Sequence, residues 1–174
     1  TVGGGIRSLE DVSLLLEAGA DKVSIGSAGV SRPALLAEIA KEHGNQILVI
    51  SLDIKRGPTP SGFVVTSHGG RQETGLDAMQ WIETVQGLGA GELLINSIDA
   101  DGTREGFDLE LIEKVRKISA VPIIASGGAG KISDFVEAAQ AGADALLAAS
   151  VFHSGEILIA QVKQALEQAG IEAR

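Results

Sequence analysis

Three aspartates and two glycine clusters are the parts of this sequence whose types and spacing suit chemistry. Asp53 in SLDIKRG interrupts an apolar run, and Asp99 and Asp101 in INSIDADGT follow another. A carboxylate at a strand end can move protons between atoms of a bound molecule, which is worth about 10²–10⁴ in rate per positioned group. Each aspartate also has a plain structural alternative. For Asp53 it is a partner for Lys55 or for a loop N–H; for Asp99 and Asp101 it is side-chain bonding within the turn that Gly102 completes. Asn96, at the end of the same strand, suits either a substrate hydrogen bond or backbone satisfaction.

The glycine clusters are Gly3, Gly4, Gly5 and, much later, Ser126, Gly127, Gly128. Each lies between a strand and a helix, so its backbone N–H groups can converge on one anion. The strand that follows each cluster ends in a further donor pair, Gly26 and Ser27 in one case, Ala149 and Ser150 in the other. One such cluster reads equally well as a tight turn. Two change the argument, because Gly3–Ser27 aligns without gaps on Ser126–Ser150, with Gly4, Gly5, Asp11, Ala18, Gly19, Ala20, Asp21 and Ser27 matched by identical residues. Duplicated cradles on one face fit a ligand with a phosphate at each end.

The elements that must position these residues follow from periodicity. Short apolar runs at 22–25, 47–54, 92–97, 122–126 and 145–149 read as buried parallel strands, and Thr1 and Val2 as the stub of another. Helical spacing marks 9–17, 33–43, 77–88, 109–118, 132–140 and 159–168. Ser8 and Asp11 have capping-box spacing, Ser31 or Arg32 precedes Pro33 in a first turn, and Gly19, Gly44, Gly89 and Gly142 stand at helix stops. The result is six βα units with right-handed crossovers in one domain spanning 1–174. The repeat distance is far too long for a solenoid and suits a duplicated half-barrel. It places the partner of strand 47–54 about 70 residues before Thr1, so two further units are expected there, completing an α/β fold of the (β/α)8 TIM-barrel family.

Composition narrows the function. A net charge of −9 disfavours nucleic acid and anionic membranes, so anions must be held locally. Without cysteine, and with His43, His68 and His153 far apart, metal chemistry is not expected and no cofactor is implied. No basic leader precedes an apolar segment and no apolar run reaches membrane length, which makes a cytoplasmic location the default. The stretch 55–75 is long for a βα connection and reads as a lid or an insertion, with a small hairpin at 63–66 and with His68 either solvated or facing substrate. Trp81 is expected to cover the outside of the barrel, and His153 to pack or cap. At the opposite end of the strands, Lys22 and Glu92 point into the barrel base and need partners, a structural salt bridge being the plain account.

VGGGIRSLED, GADKVSI, LDIKR, HGGR…TGLDA…W, GAGELL, DGTREGFDLEL, ASGGAG and AASVFH occur in the order and spacing of the cyclase subunit of imidazole glycerol phosphate synthase, and the resemblance covers the whole chain. VGGGIRS and DGT also resemble the sister isomerase of histidine biosynthesis, while HGGR with TGLDA and the AASVFH ending favour the cyclase. The resemblance implies a lyase that combines a ribulosyl-linked aminoimidazole carboxamide bisphosphate with ammonia, giving imidazole glycerol phosphate and aminoimidazole carboxamide ribotide. It implies catalysis by Asp53 with a second aspartate on a strand before Thr1. The implied phosphate ligands are Gly5, Gly26 and Ser27 at one end, and Gly102, Ser126, Gly128, Ala149 and Ser150 at the other, with Asn96 and Asp101 beside the substrate. Gly26 departs from the asparagine usual there. The resemblance also implies a heterodimer with a glutaminase subunit that delivers ammonia through a gate containing Lys22 and Glu92, and gives Asp21 a place on the docking surface. The alternatives are the isomerase itself and a catalytically incomplete phosphate-binding fragment.

Overall fold

The computed structural model describes residues 1–174. In chain order the elements are β1 (Val2–Gly3), α1 (Leu9–Glu17), β2 (Val23–Ile25), α2 (Ser27–Ser31), α3 (Ala34–His43), β3 (Leu48–Arg56), β4 (Phe63–Ser67) and β5 (Gln72–Asp77). They continue with α4 (Ala78–Gly87), β6 (Glu92–Ser97), α5 (Leu109–Ile118), β7 (Ile123–Ser126), α6 (Ile132–Gln140), β8 (Ala145–Leu147), α7 (Ser150–His153) and α8 (Ile159–Gln168). Six strands pair in the order β1-β2-β3-β6-β7-β8, all parallel, in a curled sheet with the architecture of a partial (β/α)8 barrel. No helix is long and apolar enough to cross a membrane.

Alternation within each strand separates packing from chemistry. Leu48, Ile50, Leu52 and Ile54 of β3 are buried against helices with Leu35, Leu36, Ile39, Ile82 and Val85, whereas Ser51 and Asp53 face the other way and are half-buried. Each fully buried aliphatic side chain contributes about 1.5–3 kcal/mol. On β6, Leu93 and Ile95 join the same core, leaving Glu92, Leu94 and Asn96 on the concave face. A second core under α6 and α8 is organised by Phe135, which meets Phe107 edge-on with ring centroids 5.5 Å apart.

The stretch after β3 is not a loose lid. β3 continues past the sheet to Arg56 and pairs antiparallel with β4, which pairs with β5. Phe63, Val64, Val65, Thr66 and Ser67 are all buried. Charge pins this hairpin to α5, since the Arg56 guanidinium sits 4.8 Å over the Phe63 ring and pairs with Glu110 at 2.8 Å and Asp108 at 3.3 Å. The hairpin ends on Asp77, whose carboxylate accepts from Met79 and Gln80 N–H as the N-cap of α4 and from Ser61 N–H across the loop. Burial alone would raise the Asp77 pKa, but the hydrogen bonds from Ser61 and Gln80 hold it below the usual carboxylate value. Trp81 lies on α4 within the main core and is 8% exposed, with its indole N–H unpartnered.

Candidate active site

Both glycine clusters fold into the same backbone conformation. Gly4 and Gly5 have φ of 95° and 74°, and Gly127 and Gly128 have φ of 93° and 101°. Side chains with a Cβ rarely enter this region, so consecutive glycines are what the turn demands. None of these four N–H groups donates within the chain, so they remain available to an anion. The helix after each cluster is anchored alike: Asp11 Oδ2 accepts from Arg7 and Ser8 N–H at 2.8 and 3.0 Å, and Asp134 Oδ2 from Gly130 and Lys131 N–H at 2.9 Å each. The hydrogen bond from Arg7 N–H, then that from Ser8, holds the Asp11 carboxyl below its usual pKa.

The first cluster opens on a cavity of about 580 Å³ lined by Gly4, Gly5, Arg7, Ser27, Asp53 and His68 among others. The second opens on one of about 190 Å³ lined by Asp101, Gly102, Arg104, Ser126, Gly128 and Ser150 among others. Gly26 lines the first cavity and Ala149 the second, as the repeat requires. One register row joins the two, because Asp53 pairs Asn96 and Asn96 pairs Ser126 across β3, β6 and β7. Asn96 Nδ2 donates to Asp53 Oδ1 at 3.2 Å, while Asp53 Oδ2 has no partner within the chain. Lys55 pairs with Glu73 at 2.6 Å, which removes the plain structural reading of Asp53 as its ion-pair partner.

The two loop aspartates separate. Asp99 Oδ2 accepts from Arg56 N–H at 2.7 Å and is structural, whereas the Asp101 carboxylate has no bond within the chain and lines the second cavity. At the far end of the concave face the Lys22 ammonium and a Glu92 carboxylate oxygen form an ion pair across β3. Ser24 and Ser51 lie on the same face between this pair and the row containing Asp53.

A family model described as Histidine biosynthesis protein matches residues 1–158. The chain belongs to this family. Among its curated relatives, imidazole glycerol phosphate synthase subunit HisF of Leifsonia xyli is 66% identical over 175 aligned positions, covering 100% of this chain and 69% of that protein. The subunits HisF of Thermobifida fusca and Corynebacterium diphtheriae are 60% and 54% identical, again over 100% of this chain and over 70% and 69% of theirs. The resemblance read from the motifs, to the HisF cyclase subunit, is therefore the one the relatives share.

Two site elements of this histidine biosynthesis protein were not expected from its sequence, the short helices α2 and α7 that begin at Ser27 and Ser150. Their equivalence in the repeat is the one signal that predicts both, since a turn this short has no apolar period to read. Also unexpected was the descent of the β4–β5 hairpin onto the first cradle, where His68 N–H donates to Ser27 Oγ at 2.9 Å. His153 is exposed on α7 and makes no side-chain hydrogen bond, so the expectation that it packs or caps is corrected.

Proposed function

We propose that this chain acts as the ammonia-dependent cyclase, a lyase of histidine biosynthesis, on a ribulosyl-linked aminoimidazole carboxamide bisphosphate. The observation that carries the reading is the row Asp53–Asn96–Ser126, which joins two cradles of matching backbone conformation on one face of the sheet. A bisphosphate laid along that row has one phosphate on Gly5, Gly26 and Ser27. Its other phosphate lies on Gly102, Ser126, Gly128, Ala149 and Ser150. Ring closure needs a proton removed from the entering nitrogen and one delivered as the aminoimidazole ribotide departs. Asp53 suits that exchange because one carboxylate oxygen is held by Asn96 and the other is unpartnered at the cavity. Asp101, free and beside the second cradle, suits a hydroxyl of the substrate.

Ammonia would enter from the opposite end. The Lys22–Glu92 pair closes the base of the concave face, and Ser24 and Ser51 give the interior small polar side chains above it. A glutaminase subunit docked on that end, over a surface that includes Asp21, would release ammonia toward the pair. In this reading the ion pair is a gate as well as a stabilising contact.

Turnover of the bisphosphate with ammonium chloride tests the assignment. Asp53→Asn is expected to lower kcat by about 10²–10⁴ while leaving binding of the bisphosphate within a few-fold of the parent. Activity within about threefold of the parent would remove Asp53 from the mechanism. Turnover of the isomerase's aminoaldose substrate without ammonia would instead assign the sister activity.

A further inference from the structure

Two residues other than glycine adopt a left-handed backbone, His68 with φ 55° and Arg104 with φ 63°, and each lines one of the two cavities. Neither belongs to the repeated segments. Both are brought to the cradles by neighbouring loops, and both carry side chains able to bear positive charge. Arg104 is already engaged, with its guanidinium bidentate on Glu156 at 2.9 and 3.0 Å. His68 has no acidic partner.

The contacts of His68 prepare it for an anion. Its backbone N–H occupies a lone pair of the Ser27 hydroxyl, which leaves the hydroxyl proton free to donate into the cavity. Its ring Nδ1 lies 3.1 Å from Ser67 Oγ, and that hydroxyl is buried and within 3.5 Å of the Gln72 carbonyl. With the Ser67 proton directed at Gln72, Ser67 accepts from Nδ1–H and leaves Nε2 as the free ring nitrogen. The charged groups around the same cavity are Arg7, Arg32 and Asp53, and Arg32 is bound to Glu38 at 2.7 Å. Arg71 follows in the same turn, and helix α2 beneath it carries no ionisable side chain.

We propose that His68 is a ligand of the phosphate in the first cradle, its protonated ring donating from Nε2 to the anion held by Gly4, Gly5 and Ser27. The proposal rests on the cradle reading above and adds to it a charge that the backbone donors do not supply. The first phosphate grip therefore gains a side-chain cation, while the second relies on backbone donors, its nearby arginine being held by Glu156.

Sulfate separates the two claims, because it stays dianionic between about pH 5 and pH 8 whereas an imidazole changes charge across that interval. In the full chain, the amide resonances of Gly4 and Gly5 report occupancy of the first cradle, and those of Gly127 and Gly128 the second. Sulfate is expected to bind the first cradle about tenfold more tightly at the lower pH. His68→Asn, which keeps the N–H to Ser27 and tolerates the left-handed backbone, is expected to abolish that gain at the first cradle and change nothing at the second. A pH dependence that survives H68N overturns the assignment of His68 with the cradle reading intact. Failure of sulfate to move the Gly4 and Gly5 resonances at either pH overturns both.

Discussion

The two cradles share a sequence motif and a backbone conformation, yet they are set into the molecule differently. A Cβ added at Gly4 or Gly5 would meet nothing within 4 Å, whereas at Gly127 it would lie 2.7 Å from the Ser97 carbonyl oxygen and at Gly128 it would overlap that of Gly106. The first loop stands over a large cavity with Arg7 exposed at its rim. The second is wedged against the β6–α5 loop, and its nearby arginine is neutralised by Glu156. One duplicated segment has thus become an open, cationic site at one end of the row and a tightly packed, charge-compensated site at the other. What differs is the partner each copy packs against. The backbone geometry is retained.

Alanine at the paired glycines breaks the comparison most directly. Gly128→Ala is expected to cost about 3 kcal/mol or more, because the new Cβ strikes backbone that has no room to retreat. Gly5→Ala has only the left-handed backbone to accommodate, about 1 kcal/mol. Denaturant unfolding followed by the fluorescence of Trp81 measures both, and equal losses would mean that the two loops are packed alike.

The anchoring aspartates give a smaller contrast. Asp134 is 2% exposed and satisfies two N–H groups, so Asp134→Ala is expected to cost about 2 kcal/mol. Asp11→Ala, at the half-exposed copy, is expected to cost less. Because the folded Asp11 carboxyl lies below its ordinary value of 3.8, its stabilisation is present above that pH and is lost as the pH falls below it. Acid unfolding should show a shallower loss in D11A than in the parent over that window.

The smallest effect expected is a gain. Glu156→Gln removes the carboxylate that holds Arg104, and sulfate binding at the second cradle should rise about two- to fivefold with the first unchanged. The hydrogen bond from Ser154, then that from Arg104, keeps the Glu156 carboxyl ionised below its ordinary value of 4.5, so only stronger acid would release the arginine in the parent. No gain in E156Q would mean that Arg104 does not reach the anion.

Much of this was legible beforehand. The helices at 9–17, 109–118, 132–140 and 159–168 coincide with α1, α5, α6 and α8, and the strand at 92–97 with β6, because each buries one face and shows it in its period. The parallel sense of the six strands followed from the alternation of strands and helices. Other features had no local signal. The extension of β3 through Lys55 and Arg56 looks polar in sequence and exists because β4 pairs with it. Asp99 and Asp101 share one turn and only the family resemblance favoured Asp101; the structure separates them physically, with Arg56 N–H on Asp99 and not on Asp101. His68 in HGGR reads as a loop histidine until the hairpin folds back onto Ser27.

The sequence by itself determined the backbone of both cradles, because only glycine enters their left-handed turns at little cost, and it determined which strand faces carry Asp53, Asn96 and Ser126, because alternation fixes them. Tertiary structure decided which cradle is open and which is packed, and which cation each receives. Those properties depend on residues from the β4–β5 hairpin and the β6–α5 loop, distant in sequence from the repeat and brought to it only by folding.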